Sequence, residues 1–274
     1  MKTAPSKSYN LATLKDQKYF SDQLEAGKIL SEAIRQMVEK VHSQSFASYL
    51  ELSQFAESII LKHNAYPTFK GYKGFPEAVC ISVNNELVHG IPKTTAPKPT
   101  DLVSLDFGVT LNQAVVDSAV TVSAEPSPEH QELIFVTQQS LYDGILAIGL
   151  EVRVGAIGEE IYKSASKKGY SVVQEMGGHG LGYGNPHEFP FIANKDSKQN
   201  GIRIQPNMTF AIEPLVYKGS PNFYLDKDGW SVYMNHSCAH FEHTIQVREN
   251  ELEIVTWHTN IDISNQNISN IISF

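Results

Sequence analysis

Cysteine is nearly absent from this chain: Cys80 and Cys238 are the only two in 274 residues. Two thiols give no disulfide framework, so a reducing compartment is the simpler expectation. A chain of this length can bury enough apolar surface to fold without a disulfide or a structural metal. Long apolar runs are also missing, and none approaches the ~20 residues of a membrane span. The first fifteen residues hold three lysines, no arginine and no apolar core segment. Neither a secretory signal nor an organellar transit peptide is therefore expected. Positive charge is in deficit, with 22 Lys and Arg against 30 Asp and Glu and a formal net charge of -8. A general affinity for nucleic acid or anionic membrane does not follow from such a balance. What remains is ordinary globular composition, 41% hydrophobic and 19% charged.

Hydrophobic periodicity divides the chain into two similar runs. Residues 15–41 place Phe20, Leu24, Ile29, Ala33, Ile34, Met37, Val38 and Val41 at helical spacing, and residues 48–62 do the same with Leu50, Leu52, Phe55, Ile59 and Ile60. Short β-branched stretches follow at 79–83, 102–109 and 114–122. The second half repeats the order, with helical patterns over 128–148 and 155–168 and strand-like stretches at 171–175, 208–216 and 241–247. Two structurally similar halves sharing one sheet are expected. No Pro/Gly/Ser-rich linker separates them, so residues 13–262 are expected to form one domain between a flexible N-terminus (1–12) and a loosely packed C-terminal tail (263–274).

The most informative stretch runs from Ser104 to Asp117. A hairpin turn centred on Leu111-Asn112 would place Asp106 directly opposite Asp117, with Cβ atoms ~5 Å apart on one face. A surface hairpin whose two aspartates point into water is the simplest alternative. Leu105, Phe107, Val115 and Val116 argue instead that these strands are buried. Paired buried carboxylates repel and call for a positive charge between them. Three further groups sit in apolar or glycine-rich settings. His179 lies in Met176-Gly-Gly-His-Gly-Leu-Gly182, where glycines allow close backbone approach. Glu213 interrupts the apolar run from Met208 to Val216, and Glu242 alternates in step with His240 and Thr244. Four carboxylates and one imidazole make a ligand set suited to Mn, Fe(II), Co or Zn. Several bridging carboxylates would suit two ions about 3.5–4 Å apart.

At these residues the sequence resembles the type I methionine aminopeptidases, M24 peptidases of the pita-bread fold. The resemblance runs from about Leu14 to Ile254. It is carried by Cys80-Ile-Ser-Val-Asn-Asn-Glu-Leu-Val-His-Gly-Ile-Pro92, the Asp106/Asp117 pair, Gly178-His-Gly180, Met208-Thr-Phe-Ala-Ile-Glu-Pro214 and Glu242-His-Thr244. It implies an α+β fold of two pseudo-symmetric halves, with helices packed outside a curved, mainly antiparallel sheet. It implies two divalent ions, of Co, Mn, Fe(II) or Zn. Asp106 would chelate one, His179 and Glu213 the other, and Asp117 and Glu242 would bridge them. A water or hydroxide between the ions would attack the first peptide bond, with Glu213 carrying its proton to the departing amine. His89 would contact the scissile amide, and His187, in Asn185-Pro-His-Glu188, would hydrogen-bond the substrate carbonyl. Phe69, Tyr72, Phe75, Cys80 and Trp230 would receive the methionine side chain, an aromatic and thiol lining suited to a thioether. The implied partners are N-terminal methionyl peptides and nascent chains, with transient contact to the ribosome, no membrane, and a cytoplasmic monomer.

The chain departs from the family pattern in places. Lys98-Pro-Thr-Asp101 stands where Pro-Gly-Asp is usual, and Val115-Val116 where a glycine precedes the second aspartate. Ser118 and Ala119 replace the common Thr and Arg, His240 stands where Gln is common, and the loop after Gly184 is one residue longer. These changes spare the five ligands and alter what surrounds them. The spacing of His179 and Glu213 leaves no room for the helical insertion of type II relatives. Two other readings compete: a prolidase or Xaa-Pro aminopeptidase, usually with an additional N-terminal domain, and a pita-bread module that binds protein or RNA without catalysis.

Overall fold

The computed structural model describes residues 12–258 and 270–273. The expected flexible N-terminus lies outside these residues except for Ala12, and so does the tail apart from 270–273. The first half comprises α1 (Gln17–Ser43), α2 (Tyr49–Lys62), β1 (Tyr66–Pro67), β2 (Cys80–Val83), β3 (Glu86–Val88), β4 (Val103–Leu111) and β5 (Ala114–Val122). The second half opens with α3 (Pro128–Leu146) and α4 (Gly155–Lys167). Short strands follow: β6 (Ser171–Val172), β7 (Gly177–Gly180), β8 (Glu188–Ala193), β9 (Thr209–Ile212), β10 (Leu215–Tyr217), β11 (Phe223–Leu225) and β12 (Val232–Met234). The chain then closes with β13 (Cys238–His240), β14 (His243–Val247), β15 (Glu251–Ile254) and β16 (Ile271–Ser273).

The helices begin where local chemistry stops the preceding chain. Asp16 caps α1 by accepting from the Tyr19 amide, Ser48 caps α2 through the Glu51 amide, and Ser127 caps α3 through the His130 amide. Pro128 at the start of α3 forfeits an amide that has no helical partner there in any case. α1 packs on β4 and β5 and α2 on β1 and β2, whereas α3 and α4 pack on each other and on strands of the second half. The helix–helix–strands order thus occurs twice, as the periodicity predicts. One apolar core runs through both halves, from Leu30 and Met37 of α1 through Phe107 of β4 to Tyr142 of α3 and Phe210 of β9.

All described strand pairs are antiparallel, and β4 pairs with β5 along one side and with β1 and β2 along the other. A six-stranded sheet has the order β16-β15-β14-β9-β7-β8, and two three-stranded sheets run β13-β10-β6 and β11-β12-β3. An isolated bridge between Ala119 and Glu242 ties β5 to the start of β14.

Three sequence expectations shift. The hairpin turns at Asn112-Gln113, both at positive φ (50° and 71°), not at Leu111-Asn112. A two-residue turn of this kind needs φ > 0 at both centres, which Asn tolerates and Leu does not. Asp106 therefore pairs with Ala119, and Asp117 with Gly108. The pairing moves by two residues, so both carboxylates stay on one face, diagonal rather than opposed. The expected 208–216 strand is broken between β9 and β10, because Pro214 lacks the amide a continuous ladder requires. The segment from Ile271 to Ser273 pairs with β15 instead of hanging loose.

Candidate metal centre and active site

The hairpin sets two acids and the seam with the second half sets a third. Asp106 comes from β4 and Asp117 from β5, and the Asp117 amide donates to Thr244 Oγ1 at 2.8 Å while its carbonyl accepts from the same hydroxyl. Across the seam the Glu242 amide donates to the Ala119 carbonyl at 2.9 Å, and Ser118 Oγ donates to the Glu242 carbonyl at 2.6 Å. Ser118 Oγ also meets His258 Nε2 at 2.9 Å. The departures at Ser118 and Ala119 thus form the joint that holds Asp117 beside Glu242.

His179 projects from β7 at a bulge opposite Phe191. Its Nδ1 lies 3.1 Å from the Gly180 carbonyl, an acceptor only, so Nδ1 carries a proton and Nε2 is turned toward the carboxylates. That Nε2 lies 3.3 Å from Glu213 Oε1. Glu213 follows β9 at the Pro214 break, with its carbonyl held by Asn194 Nδ2 at 3.0 Å. Single ligand atoms of Asp117, His179 and Glu242 all lie within 4.8 Å of one another.

Burial makes this cluster costly without a cation. Asp117 is 1% and Glu242 2% exposed, and Asp117 Oδ1 and Glu242 Oε1 have no hydrogen-bond partner among the described residues. Burial and mutual repulsion raise both carboxyls well above the usual range. Burial lifts Asp106 to about 7, with His240 acting against it. Glu213 is the exception: burial would raise it, but His179 and His240 hold it down to about 2. Orphaned, desolvated carboxylates converging with an imidazole nitrogen fit a divalent cation.

A cavity of about 630 Å³ opens over this centre, and all twelve residues singled out from the sequence line it. Phe69, Phe75 and Cys80 are buried along one wall, with Phe75 edge-on to Trp230 at 5.3 Å between ring centres. His89 and His187 also line the cavity, and both are exposed to solvent. His89 has a left-handed φ of 56°, a sparsely populated conformation held by its neighbours. His187 lies 4.3 Å from His179 and stacks on Tyr72 at 5.4 Å, measured between ring centres. The cavity walls lower the pKa of both histidines, His179 adding to the effect at His187. The loop bearing His187 is pinned by Glu188, which accepts from the buried Lys15 ammonium at 2.6 Å and from Thr13 Oγ1 at 3.1 Å. Sequence reasoning did not place Lys15 or Glu188 near the site, nor His240 inside it. His240 had a signal, since the alternation puts it on the Glu242 face.

The sequence pattern of metallopeptidase family M24 matches residues 23–249. The chain belongs to metallopeptidase family M24. This M24 metallopeptidase is 39% identical over 235 residues to methionine aminopeptidase 1 of Bacillus subtilis (strain 168), which spans 85% of this chain and 94% of that protein. The crystal structure of methionine aminopeptidase from Rickettsia prowazekii superposes with a TM-score of 0.86 at 31% identity, covering 90% of this chain and 100% of that one. That from Thermotoga maritima superposes at 0.84 with 33% identity, covering 90% and 99%. The fold is the α+β pita-bread fold, and membership of the family makes the protein a hydrolase that binds divalent metal. Among the described residues no helix is long and apolar enough to cross a membrane.

Proposed function

We propose that this M24 metallopeptidase removes the N-terminal methionine from peptides and nascent proteins. The observation that carries the reading is one cavity in which a buried carboxylate–imidazole cluster adjoins an aromatic and thiol wall. In this reading Asp106, Asp117, His179, Glu213 and Glu242 would hold two divalent ions of the Co, Mn, Fe(II) or Zn class. Bound there, the ions would supply Lewis acidity to the scissile carbonyl and lower the pKa of an attacking water.

The chain's own groups do the rest. Phe69, Tyr72, Phe75, Cys80 and Trp230 receive the methionine side chain and exclude water from it, and the thioether gains from contact with aromatic rings. That contact fixes the first peptide bond over the carboxylate cluster, so positioning lowers the barrier before any proton moves. Glu213, ionised between His179 and His240, accepts the proton of the attacking water and passes it to the departing amine. His187 donates to the carbonyl oxygen as negative charge develops on it, and His89 donates to or orients the scissile amide nitrogen. The same reading takes residues 13–262 as one catalytic domain, acting as a cytoplasmic monomer on chains emerging from the ribosome.

The test is anaerobic reconstitution of the metal-free protein with each ion, followed by cleavage of Met-Ala-Ser and of an Ala-Pro peptide. Release of methionine, dependent on added ion and faster than Ala-Pro hydrolysis, is expected. Faster cleavage of the proline substrate would overturn the choice in favour of a prolidase-type activity. Fewer than one tightly bound ion, with no gain on adding Mn, Co or Fe, would favour a non-catalytic binding module.

A further inference from the structure

The five-ligand reading uses one imidazole, yet two are built into the centre. His240 ends β13 and is 2% exposed. Its backbone is clamped on both sides by Thr121, whose Oγ1 accepts from the His240 amide at 2.8 Å and donates to its carbonyl at 2.9 Å. The ring so fixed stands among three of the carboxylates. Nε2 lies 3.5 Å from Glu213 Oε2 and 4.0 Å from Glu242 Oε2, and Nδ1 lies 4.0 Å from Asp106 Oδ2. Among the described residues Nε2 has no hydrogen-bond partner, and 3.5 Å is long for one.

Taken pairwise, these separations match atoms that share an ion, beside the mutually close trio of Asp117, His179 and Glu242. Ligands about 2.1 Å from one metal stand roughly 3.0–3.4 Å apart when adjacent and about 4.2 Å apart when opposed. The two oxygens of Glu213 also divide between two rings, Oε1 facing His179 Nε2 at 3.3 Å and Oε2 facing His240 Nε2. A buried, unpartnered imidazole nitrogen aimed between two carboxylates has the placement of a ligand. A neighbour that only positioned Glu213 would show a closer hydrogen bond to it.

We propose that His240 is a sixth side-chain ligand, binding through Nε2 the ion that Glu213 and Glu242 share. The inference rests on the five-ligand reading and adds a residue to it. A second neutral imidazole shifts a site otherwise rich in oxygen toward ions that favour nitrogen, Co and Zn over Mn. The protein should therefore discriminate against Mn more strongly than a centre holding one imidazole.

The experiment is calorimetric titration of metal-free wild type, His240→Gln and Asp117→Asn with Co(II) and with Mn(II), alongside visible spectra of the Co(II) forms. For His240→Gln the ratio of Co to Mn affinity should fall about tenfold or more, and the Co(II) bands should shift. An unchanged ratio and an unchanged spectrum would reduce His240 to a neighbour of Glu213 and overturn the proposal. Asp117→Asn separates the two levels. If it loses tight binding while His240→Gln matches wild type, only the sixth ligand is wrong; if it binds both ions as wild type does, the five-ligand reading fails and the sixth ligand with it. Should His240→Gln not fold, X-ray absorption of the wild-type Co(II) form counts histidines directly. Two imidazoles are expected, and one would refute the assignment.

Discussion

Replacing Asp106 by Asn should stabilise the metal-free protein while destroying its response to metal. Asp106 is 8% exposed, and its carboxyl rises from 3.8 to about 7, chiefly through burial. At about 1.4 kcal/mol per tenfold change in proton affinity, ionising it costs the folded, metal-free protein roughly 4 kcal/mol above pH 7. The sign follows from linkage. A carboxyl whose folded pKa is raised leaves stability intact below about pH 4, and that stability is lost progressively as pH rises to about 7. An asparagine carries no such charge but leaves an amide imperfectly paired, at a cost of about 1–3 kcal/mol that does not depend on pH. The net gain above pH 7 is then about 2 kcal/mol, or about 4–8 °C in Tm for a chain of this size. Thermal denaturation after chelation, at several values between pH 4.5 and pH 8, reads it directly. The variant's advantage should shrink by about 1.4 kcal/mol for each pH unit below 7, so the slope isolates the carboxyl from the amide. With Co(II) or Mn(II) added the order should reverse, since only the wild type gains binding free energy. A flat difference across this range, or a variant less stable than metal-free wild type at pH 8, would refute the electrostatic account of the centre.

Other expectations are independent of that one. Glu213→Ala should abolish turnover while leaving the far-ultraviolet circular dichroism unchanged, and near-normal activity would remove Glu213 from proton transfer. His187→Ala should lower kcat by roughly 10²–10³ with metal affinity unchanged, as expected for loss of one donor to a developing oxyanion; a kcat within threefold of wild type would exclude that role. Gly178→Ala should cost about 1–3 kcal/mol and weaken metal binding, because a Cβ there runs into the Ala211 carbonyl oxygen and displaces His179. Denaturant titration and metal titration of the variant would check both effects.

The helices and the identity of the candidate ligands were legible in the residues themselves. Apolar spacing located α1 to α4 to within a few residues, because each buries one stripe, and α1, α2 and α3 also begin at a side chain that caps them. Strand alternation put Asp106 and Asp117 on one face even though the turn lies one residue further along, because a slip of two preserves parity. The specific motifs, from Cys80 to Pro92 and around His179, Glu213 and Glu242, carried the family resemblance that the M24 match then established. Alternation could not give distances between segments far apart in the chain. The break at Pro214, the Ala119–Glu242 seam and the reach of Lys15 to Glu188 depend on which ladders meet, and several short strands of the second half lack a periodic signature.

His240 shows where the division falls. A period of two sets it on the Glu242 face in the sequence, although in the fold His240 ends β13 and Glu242 bridges to Ala119 before β14 begins. Whether it reaches the centre was decided by Thr121, 119 residues away, which clamps its backbone and leaves Nε2 between two carboxylates. Residue type and local period select the chemistry available to each element. Only the packing of one half against the other sets the few ångströms over which four acids and two imidazoles come together beneath one cavity.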